Sequence, residues 1–317
     1  MNNSAVSPEK NDRSIINRSL NVIGSFFARN RYKIPAYPYV LWMALFVVAP
    51  IILIVVYAFT SSSGAFTMTN FSNMLDYAGV FGRSLWLALI ATIICLLIGY
   101  PVAYILSKAK PSVQRIIMML IMLPMWINFL LRTYAWMSLL ENTGLINRIF
   151  ESMGLFSLIN SIGHSVSDTW TDISYFEMIN TQGAVILGMV YNYLPFMILP
   201  IHSVIVKIDP SVIEAAQDLG ADSSTVFRKV TFPLSLSGVI SGITMVFVPS
   251  VSTFIISKLL GGGTSLLLGD LIEMQFLGSA YNPHLGAAIS LIMMIIVILC
   301  MSIMNKFGEG EEQAVIM

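Results

Sequence analysis

The sequence predicts an all-α integral membrane protein with six transmembrane helices, and three observations predict it. Of the 317 residues, 56% are apolar and only 11% charged, whereas a soluble domain of this length carries about 25% charged residues. Uncharged apolar windows recur along the chain at the length of about 20 residues that an α-helix needs to cross the hydrocarbon. The cations between those windows alternate in density, as the positive-inside rule requires of a multi-pass protein.

Residues 1–37 form a polar, basic tail with Lys10, Arg13, Arg18, Arg29, Arg31 and Lys33. No apolar core with a cleavage site follows these charges closely enough to read as a secretory leader. Ile16, Leu20, Ile23 and Phe27 recur at helical spacing. The tail therefore reads either as a helix on the inner membrane surface or as a disordered segment.

The membrane domain is expected over 38–306, with spans near 39–59, 84–107, 116–140, 184–206, 234–257 and 285–305. Six spans put both termini on one side. With the N-terminus in the cytoplasm, thirteen Lys and Arg residues fall on the cytoplasmic side; Arg83, Arg132, Arg148 and Lys258 fall outside. That asymmetry fixes the orientation and leaves residues 307–317 as a short, acidic cytoplasmic tail. Arg132 reads as a snorkelling anchor near the outer surface. The outer segment 141–183 carries Glu141, Glu151, Asp168, Asp172 and Glu177 against Arg148 alone. A connection this long is usually functional or disordered; it reads either as simple tolerance of acids outside or, the preferred reading, as a dock for a substrate-delivering protein with a field that favours cations.

A polar island between two long apolar segments is the cytoplasmic loop 207–233. Asp209 can accept the unpaired amide hydrogens of a first helical turn, and Pro210 suits the position where no N–H is needed. Gly220 supplies the left-handed residue that ends the helix. Asp222, before Ser223-Ser224-Thr225, caps a second short helix through Arg228. Ala215 and Ala216 on one face, with Gly220 at the turn, let another protein approach the backbone closely.

Chemistry of other kinds is not written in the chain. His164, His202 and His284 are scattered, and no nucleophile elbow, His-Glu-x-x-His helix or phosphate-cradling loop is present. Cys95 and Cys300 both lie in apolar runs, so neither a disulfide framework nor a metal site is expected. The twenty methionines suit an adaptable helix interior. The chain is expected to be no enzyme, to hold no cofactor or metal, and to bind no nucleic acid.

Polar and aromatic residues at membrane depth mark a candidate substrate path. Trp126 and Asn128 follow Pro124, Tyr191 and Asn192 precede Pro195, and Thr253 and Phe254 follow Pro249. A proline in a spanning helix frees a carbonyl and marks a bend or gate. Gly238-x-x-x-Gly242 reads as close helix packing. After Gly261-Gly262-Gly263, the stretch Leu266–Glu273 is too short to span and can dip partway into the membrane. Its Asp270 and Glu273, with Phe254 and Trp126, form a possible cage for a cationic amine.

Glu214-Ala215-Ala216, Gly220 four residues on, and Val230-Thr231-Phe232-Pro233 after nine more resemble the "EAA" loop in the membrane-spanning subunits of bacterial ABC importers. Val230 and Phe232 stand where that family usually has Ile and Leu. The resemblance implies a type I ABC importer permease-like fold. It also implies a coupling helix that docks into an ATPase through Glu214, Ala215, Ala216, Asp218, Gly220 and Pro233. Leu131–Trp136, Thr143–Asn147, Leu194–Pro200, and Leu267–Ile272 with Gln275-Phe276 resemble more narrowly the B-type permeases of the spermidine/putrescine importers. This likeness covers most of 38–306. Lys258 departs from it, standing where that family can have an acid.

By this resemblance the partners are a second, C-type permease, two ATPase subunits, an extracytoplasmic polyamine-binding protein and membrane lipid. The location is the bacterial inner membrane, and transport is by alternating access. The rivals are a permease for another binding-protein-delivered solute and a secondary transporter independent of an ATPase. The last would place coupling charges at the bilayer centre, where these spans have almost none. The orientation has a direct check: an epitope inserted between Leu219 and Thr225 is expected to be reached by antibody only from the cytosolic side.

Overall fold

The computed structural model describes residues 37–167, 170–263, 266–278 and 280–315. The expected tail helix, on Ile16, Leu20, Ile23 and Phe27, lies outside these, as does Asp168. The chain divides into two compact units, Met1–Val56 and Tyr57–Met317. The described part of the first belongs to an apolar helix, α1 (Pro38–Ala58), whose last two residues fall in the second. It widens to a π turn at Ala44–Val48, where the Ala49 N–H reaches back to the Ala44 carbonyl. Pro50 has no N–H for the Phe46 carbonyl and its ring crowds that oxygen, so the helix loosens there.

The second unit begins with a tight loop closed by a bridge between Thr60 and Phe66. The Asn70 side-chain amide pins that loop by donating to the Ala58 and Thr60 carbonyls at 2.9 and 3.0 Å. The helices that follow are α2 (Thr69–Met74), α3 (Ala78–Ser107), α4 (Pro111–Met122), α5 (Phe129–Leu140), α6 (Leu145–Ser152) and α7 (Leu155–Val166). Then come α8 (Gln182–Ile205), α9 (Pro210–Asp218), α10 (Ser223–Val226), α11 (Leu236–Ser252), α12 (Ile255–Leu260), α13 (Leu268–Leu277) and α14 (Pro283–Val315). The last runs on in helix past the expected span end at 305.

Helices α3, α8 and α11 form the core. One buried cluster joins Leu87 and Ala91 of α3 to Val185 and Met189 of α8 and to Ile256 and Leu260 of α12. A second joins Cys95 and Ala103 to Met197, Ile201 and Val246. Small residues let the backbones close up. A Cβ on Gly238 would stand 2.9 Å from the Pro200 carbonyl oxygen, and one on Gly242 would stand 3.2 Å from that of Met197. The Gly-x-x-x-Gly pair is thus the face on which α11 rides over α8. Helix α14 completes the unit by packing Leu285 and Ile289 against Val251, Leu268 and Leu271.

Two of the expected spans are broken rather than straight. In the third, a 3₁₀ turn at Leu123–Trp126 ends the helix because Pro124 cannot donate to the Leu120 carbonyl. Asn128 then caps a new helix by accepting from the Leu130 N–H at 2.9 Å. The segments Pro111–Trp126 and Phe129–Ser152 meet at 89°. At the start of the fifth, the hairpin segment Ser223–Leu234 meets Leu236–Ser252 at 61°, and the break within the span comes later. Here helix α11 stops at Ser252, where Thr253 turns extended, and α12 continues the chain. Among the described residues four helices are long and apolar enough to cross a membrane, and six if each bent pair counts as one span.

The Gly238 contact carries a prediction. Gly238→Leu has no room against the α8 backbone, and such overpacking costs about 1–3 kcal/mol. The detergent-solubilised protein is expected to melt several degrees lower, as read by its thermal unfolding midpoint. Ser237→Leu, on the neighbouring half-buried position, is the control that leaves the seam closed.

Candidate functional site

The segment 209–234 is a helical hairpin whose local chemistry is complete. Asp209 caps α9 by accepting the Ser211 N–H at 2.9 Å, and Pro210 takes the first helical position. The helix ends in a Schellman motif: the Ala221 N–H reaches the Ala216 carbonyl at 3.1 Å, and the Gly220 N–H reaches that of Gln217 at 2.8 Å. This closure needs Gly220 at φ +84°, a conformation that glycine adopts freely and L residues do not. Asp222 then caps α10 by accepting the Thr225 N–H at 3.3 Å.

Two surfaces result. An open depression of about 450 Å³ lies between the helices, lined by Ala216, Leu219, Gly220, Ala221, Thr225 and Lys229 among others. Leu219 at its edge is 90% exposed. No Cβ stands over the turn, so a partner's side chain can reach its backbone. On the other side a cleft of about 400 Å³ runs between the hairpin and the ends of α3 and α8, with Glu214 and Gln217 facing Tyr104, Lys108 and Ile205. Ala215 and Asp218 are exposed on α9, and Pro233 sits in the turn Phe232–Leu234 that enters α11.

The hairpin is fastened to the core by an aromatic clamp. Beyond α10 the chain loosens into a π turn at Phe227–Thr231, two residues short of Pro233, the same device that Pro50 produces in α1. The turn aims Phe227 between Tyr104 and Tyr100 of α3, with ring centroids 5.0 and 5.8 Å apart and the planes nearly perpendicular. Phe232 lies 5.6 Å from Tyr100, whose hydroxyl meets that of the fully buried Ser235 at 2.8 Å. Edge-to-face pairs of this kind contribute about 0.5–1.5 kcal/mol each beyond their buried area. Sequence reasoning missed this clamp. The available signals were the Tyr100/Tyr104 pair one helical turn apart and the Phe227/Phe232 pair flanking the Pro233 approach.

The expected path residues are only partly brought together. Phe254 and Glu273 line one cleft of about 320 Å³, along with Ser252, Ile272, Phe276 and Met293. Thr253 is buried beside them, and its carbonyl touches the α-carbon side of Gly269, where a Cβ would lie 2.5 Å away. Tyr191 instead stacks edge-on to Trp136 at 5.3 Å. Asn192 is buried and donates to the Gly188 carbonyl at 2.8 Å. Trp126 is 77% exposed, and Asn128 is occupied as a helix cap.

The cage of Asp270, Glu273, Phe254 and Trp126 does not form as one cluster. The Asp270 carboxylate turns back to accept the Leu267 N–H at 2.9 Å, which caps its own helix and buries it. Glu273 keeps its place on the cleft but is held by Lys258, whose Nζ lies 2.9 and 3.2 Å from its two oxygens. The departure at Lys258 therefore supplies a partner for an acid rather than an isolated cation. Among the described residues no group of three or more acidic, His or Cys side chains is placed to hold a metal.

Residues 96–309 match the family described as binding-protein-dependent transport system inner membrane component. Among curated relatives, the spermidine/putrescine transport system permease protein PotB of Haemophilus influenzae is 37% identical over 258 residues, which are 79% of this chain and 84% of the relative. PotB of Escherichia coli K12 is 36% identical over 263 residues, 80% of this chain and 90% of the relative. Among solved structures, one chain of a bacterial ABC transporter that imports the acidic polysaccharide alginate superposes with TM-score 0.73 at 14% identity, covering 90% of this chain and 98% of that one. A chain of the MetNI methionine transporter gives 0.52 at 16% identity, covering 76% of this chain and 98% of that one. These two likenesses are of fold.

The two caps make the hairpin sensitive to acid. Hydrogen bonds from the Ser211 backbone and hydroxyl hold Asp209 below the usual carboxylate range. Those from the Thr225 hydroxyl and backbone do the same for Asp222. Because the folded-state values are depressed, the stabilisation is fully present above the ordinary aspartate value of 3.8. It is lost as pH falls through the lower, folded values. The protection of the 211–231 amides, taken relative to their intrinsic exchange rate at each pH, is expected to hold from neutral pH down to that range and to fall only below it. In Asp209→Asn with Asp222→Asn, which still cap but do not titrate, that acid step is expected to vanish.

Proposed function

The chain belongs to the family of binding-protein-dependent transport system inner membrane components, and from that membership we propose that it carries polyamines through half of a shared translocation pathway. As a family member it is a multi-pass inner-membrane permease subunit of an ABC importer and not the catalytic chain. The polyamine cargo is supported by the identity of 36–37% to spermidine/putrescine permeases over about four-fifths of the chain. It is also supported by the cleft that Phe254, Phe276 and Glu273 line together, since aromatic faces and a carboxylate suit an alkylammonium once the cargo's ammonium displaces Lys258 from Glu273. Its partners in this reading are a second, C-type permease, two ATPase subunits and a polyamine-delivering binding protein. The six spans, with both termini and the 207–233 loop in the cytoplasm, follow from the cation asymmetry.

The observation that carries the coupling role is the clamped hairpin. Its rim, the exposed Leu219 and Gly220 with the half-buried Ala216, offers a rigid surface to an ATPase, with Glu214, Ala215 and Asp218 on the same helix and Pro233 at its root. Its buried side is tied to α3 through Phe227 and runs through Phe232 and Pro233 into α11. When ATP binding draws the two ATPases together, a displacement of α9 passes through Phe227 to Tyr100 and Tyr104 and tilts α3 and α11 against α8. Thr253, Phe254, Asp270 and Glu273 sit where α11 breaks into α12 and α13, so that tilt reaches the cleft as an opening or closing. Trp126 and Asn128 mark the bend of the third span, and Tyr191 and Asn192 line the path from the unbroken helix α8.

Two substitutions separate docking from transmission. Gly220→Asp forces an L residue to φ +84°, at about 1–2 kcal/mol, and sets a carboxylate against the helix's C-terminal carbonyls. It is expected to lose the ATPase on purification and to abolish spermidine uptake while still inserting into the membrane. Phe227→Ala is expected to keep the ATPase bound yet lose most uptake, with ATP hydrolysis no longer stimulated by loaded binding protein. Normal spermidine uptake in either variant overturns the coupling role.

A further inference from the structure

Helices α6 and α7 emerge at the end of the core opposite the 209–234 hairpin. Leu140, the last residue of α5, is buried with Leu87, Val185 and Leu260, whereas the hairpin clamps Tyr100 and Tyr104. Only four residues separate Leu140 from Leu145, so α6 starts within about 18 Å of the end of α5 even at full extension. The Asn147 side chain holds it nearer still, donating to the Glu141 carbonyl at 3.2 Å and to that of Phe176 at 3.0 Å.

Each of the two helices has three distinct faces. The inward faces converge on Phe176, whose ring lies 5.8 Å from Phe150 of α6 and 5.2 Å from Phe156 of α7. Asn160 of α7 grips the return strap through the Ile173 N–H and carbonyl at 2.9 and 3.0 Å. A second face is polar: Arg148, Glu151 and Ser152 on α6, and Ser157, Ser161, His164 and Ser165 on α7, all exposed. The third is apolar and equally exposed. Leu145, Ile149 and Met153 follow one another at intervals of four, 56, 45 and 75% exposed. Leu158, Ile162 and Val166 do the same at 59, 56 and 81%.

A helix in water beside its own protein needs two faces, one inward and one polar. A third, apolar face adjoining both is what a helix acquires when it lies along a bilayer surface. We propose that α6 and α7 are interfacial helices, lying in the headgroup region of the leaflet at this end of the molecule with Leu145, Ile149, Met153, Leu158, Ile162 and Val166 immersed. The occupant of the apolar faces is lipid rather than another protein because they begin one turn beyond a membrane segment. They continue the exposed apolar surface of α5, on which Leu130, Leu131 and Tyr134 stand out. Helix α7 carries no acidic residue and no Lys or Arg, which suits the acyl boundary. The acids Glu141, Glu151 and Asp172 are thereby left on the watery side, exposed and open to a delivering protein. This placement rests on the chain crossing a membrane and not on its cargo, so the two readings fail separately.

The test uses the full transporter in lipid nanodiscs, with Cys95→Ala and Cys300→Ala as background and single spin labels at Ile149→Cys, Leu158→Cys, Ile162→Cys and Val166→Cys. Ser157→Cys and Ser161→Cys report the polar face. Collision of each label with oxygen, which partitions into lipid, is compared with collision with a water-soluble nickel chelate. The four apolar positions are expected to favour oxygen, at a depth of about 5–10 Å below the headgroup surface, and the two serine positions to favour nickel. Nickel access at Leu158, Ile162 and Val166 equal to that at the serines overturns the proposal. Shielding of those positions from both reagents overturns it too, because it means that protein covers the stripe.

Discussion

Where α8 and α11 cross, glycine takes the place of side chains: Gly238 and Gly242 press on the carbonyls of Pro200 and Met197. Inside a bilayer helices gain nothing from hiding apolar surface from water, so close van der Waals contact between backbones has to do the holding. With α3 packed alongside through Ala91, Cys95 and Ala103, this seam is the fixed frame. The hairpin hangs from one end of it by Phe227, and the α12–α13 segment folds over the other through Leu260 and Leu268. The proposed transmission of force depends on that frame moving as whole helices.

Proline accompanies the places where the helices yield, although Pro101, Pro195 and Pro200 sit inside unbroken helices. Each of the two π turns closes two residues before a proline, at Pro50 and Pro233, and the 3₁₀ turn of the third span contains Pro124. In hydrocarbon a freed carbonyl must find a partner nearby. At the break after Ser252 the Pro249 carbonyl finds one in the Tyr193 hydroxyl at 3.4 Å. Such breaks are satisfied in place but not continued by helix, which makes them natural pivots. The break after Ser252 leaves Thr253 extended, with Phe254 and Glu273 on one cleft beside it.

Much of the site was legible locally. Asp209-Pro210, Gly220 and Asp222 each act within three residues of their own position, and the caps and turn they make are those their chemistry dictates. The Gly-x-x-x-Gly spacing likewise named a packing face before its partner was known. The cage failed for a reason of the opposite kind. Asp270, three residues after the Leu267 N–H, satisfied a nearby donor first, and Glu273 was matched by Lys258 fifteen residues away across a turn. The sequence offered both acids as equals, and only their surroundings separated them.

From the amino-acid order alone follow the membrane class, the recurrence of apolar segments, the caps and turn of the 209–222 stretch, and the uneven spacing of the cations. All of these depend on groups close together in the chain. The tertiary structure decided which rings meet Phe227, which acid lines a cleft and which caps a helix, and that α6 and α7 show three faces rather than two. Those outcomes turn on the rotation of each helix about its axis against neighbours that lie up to more than a hundred residues away, as Tyr100 does from Ser235. A rotation of that kind is set by the sum of many weak packing contacts, and no short stretch of sequence contains it.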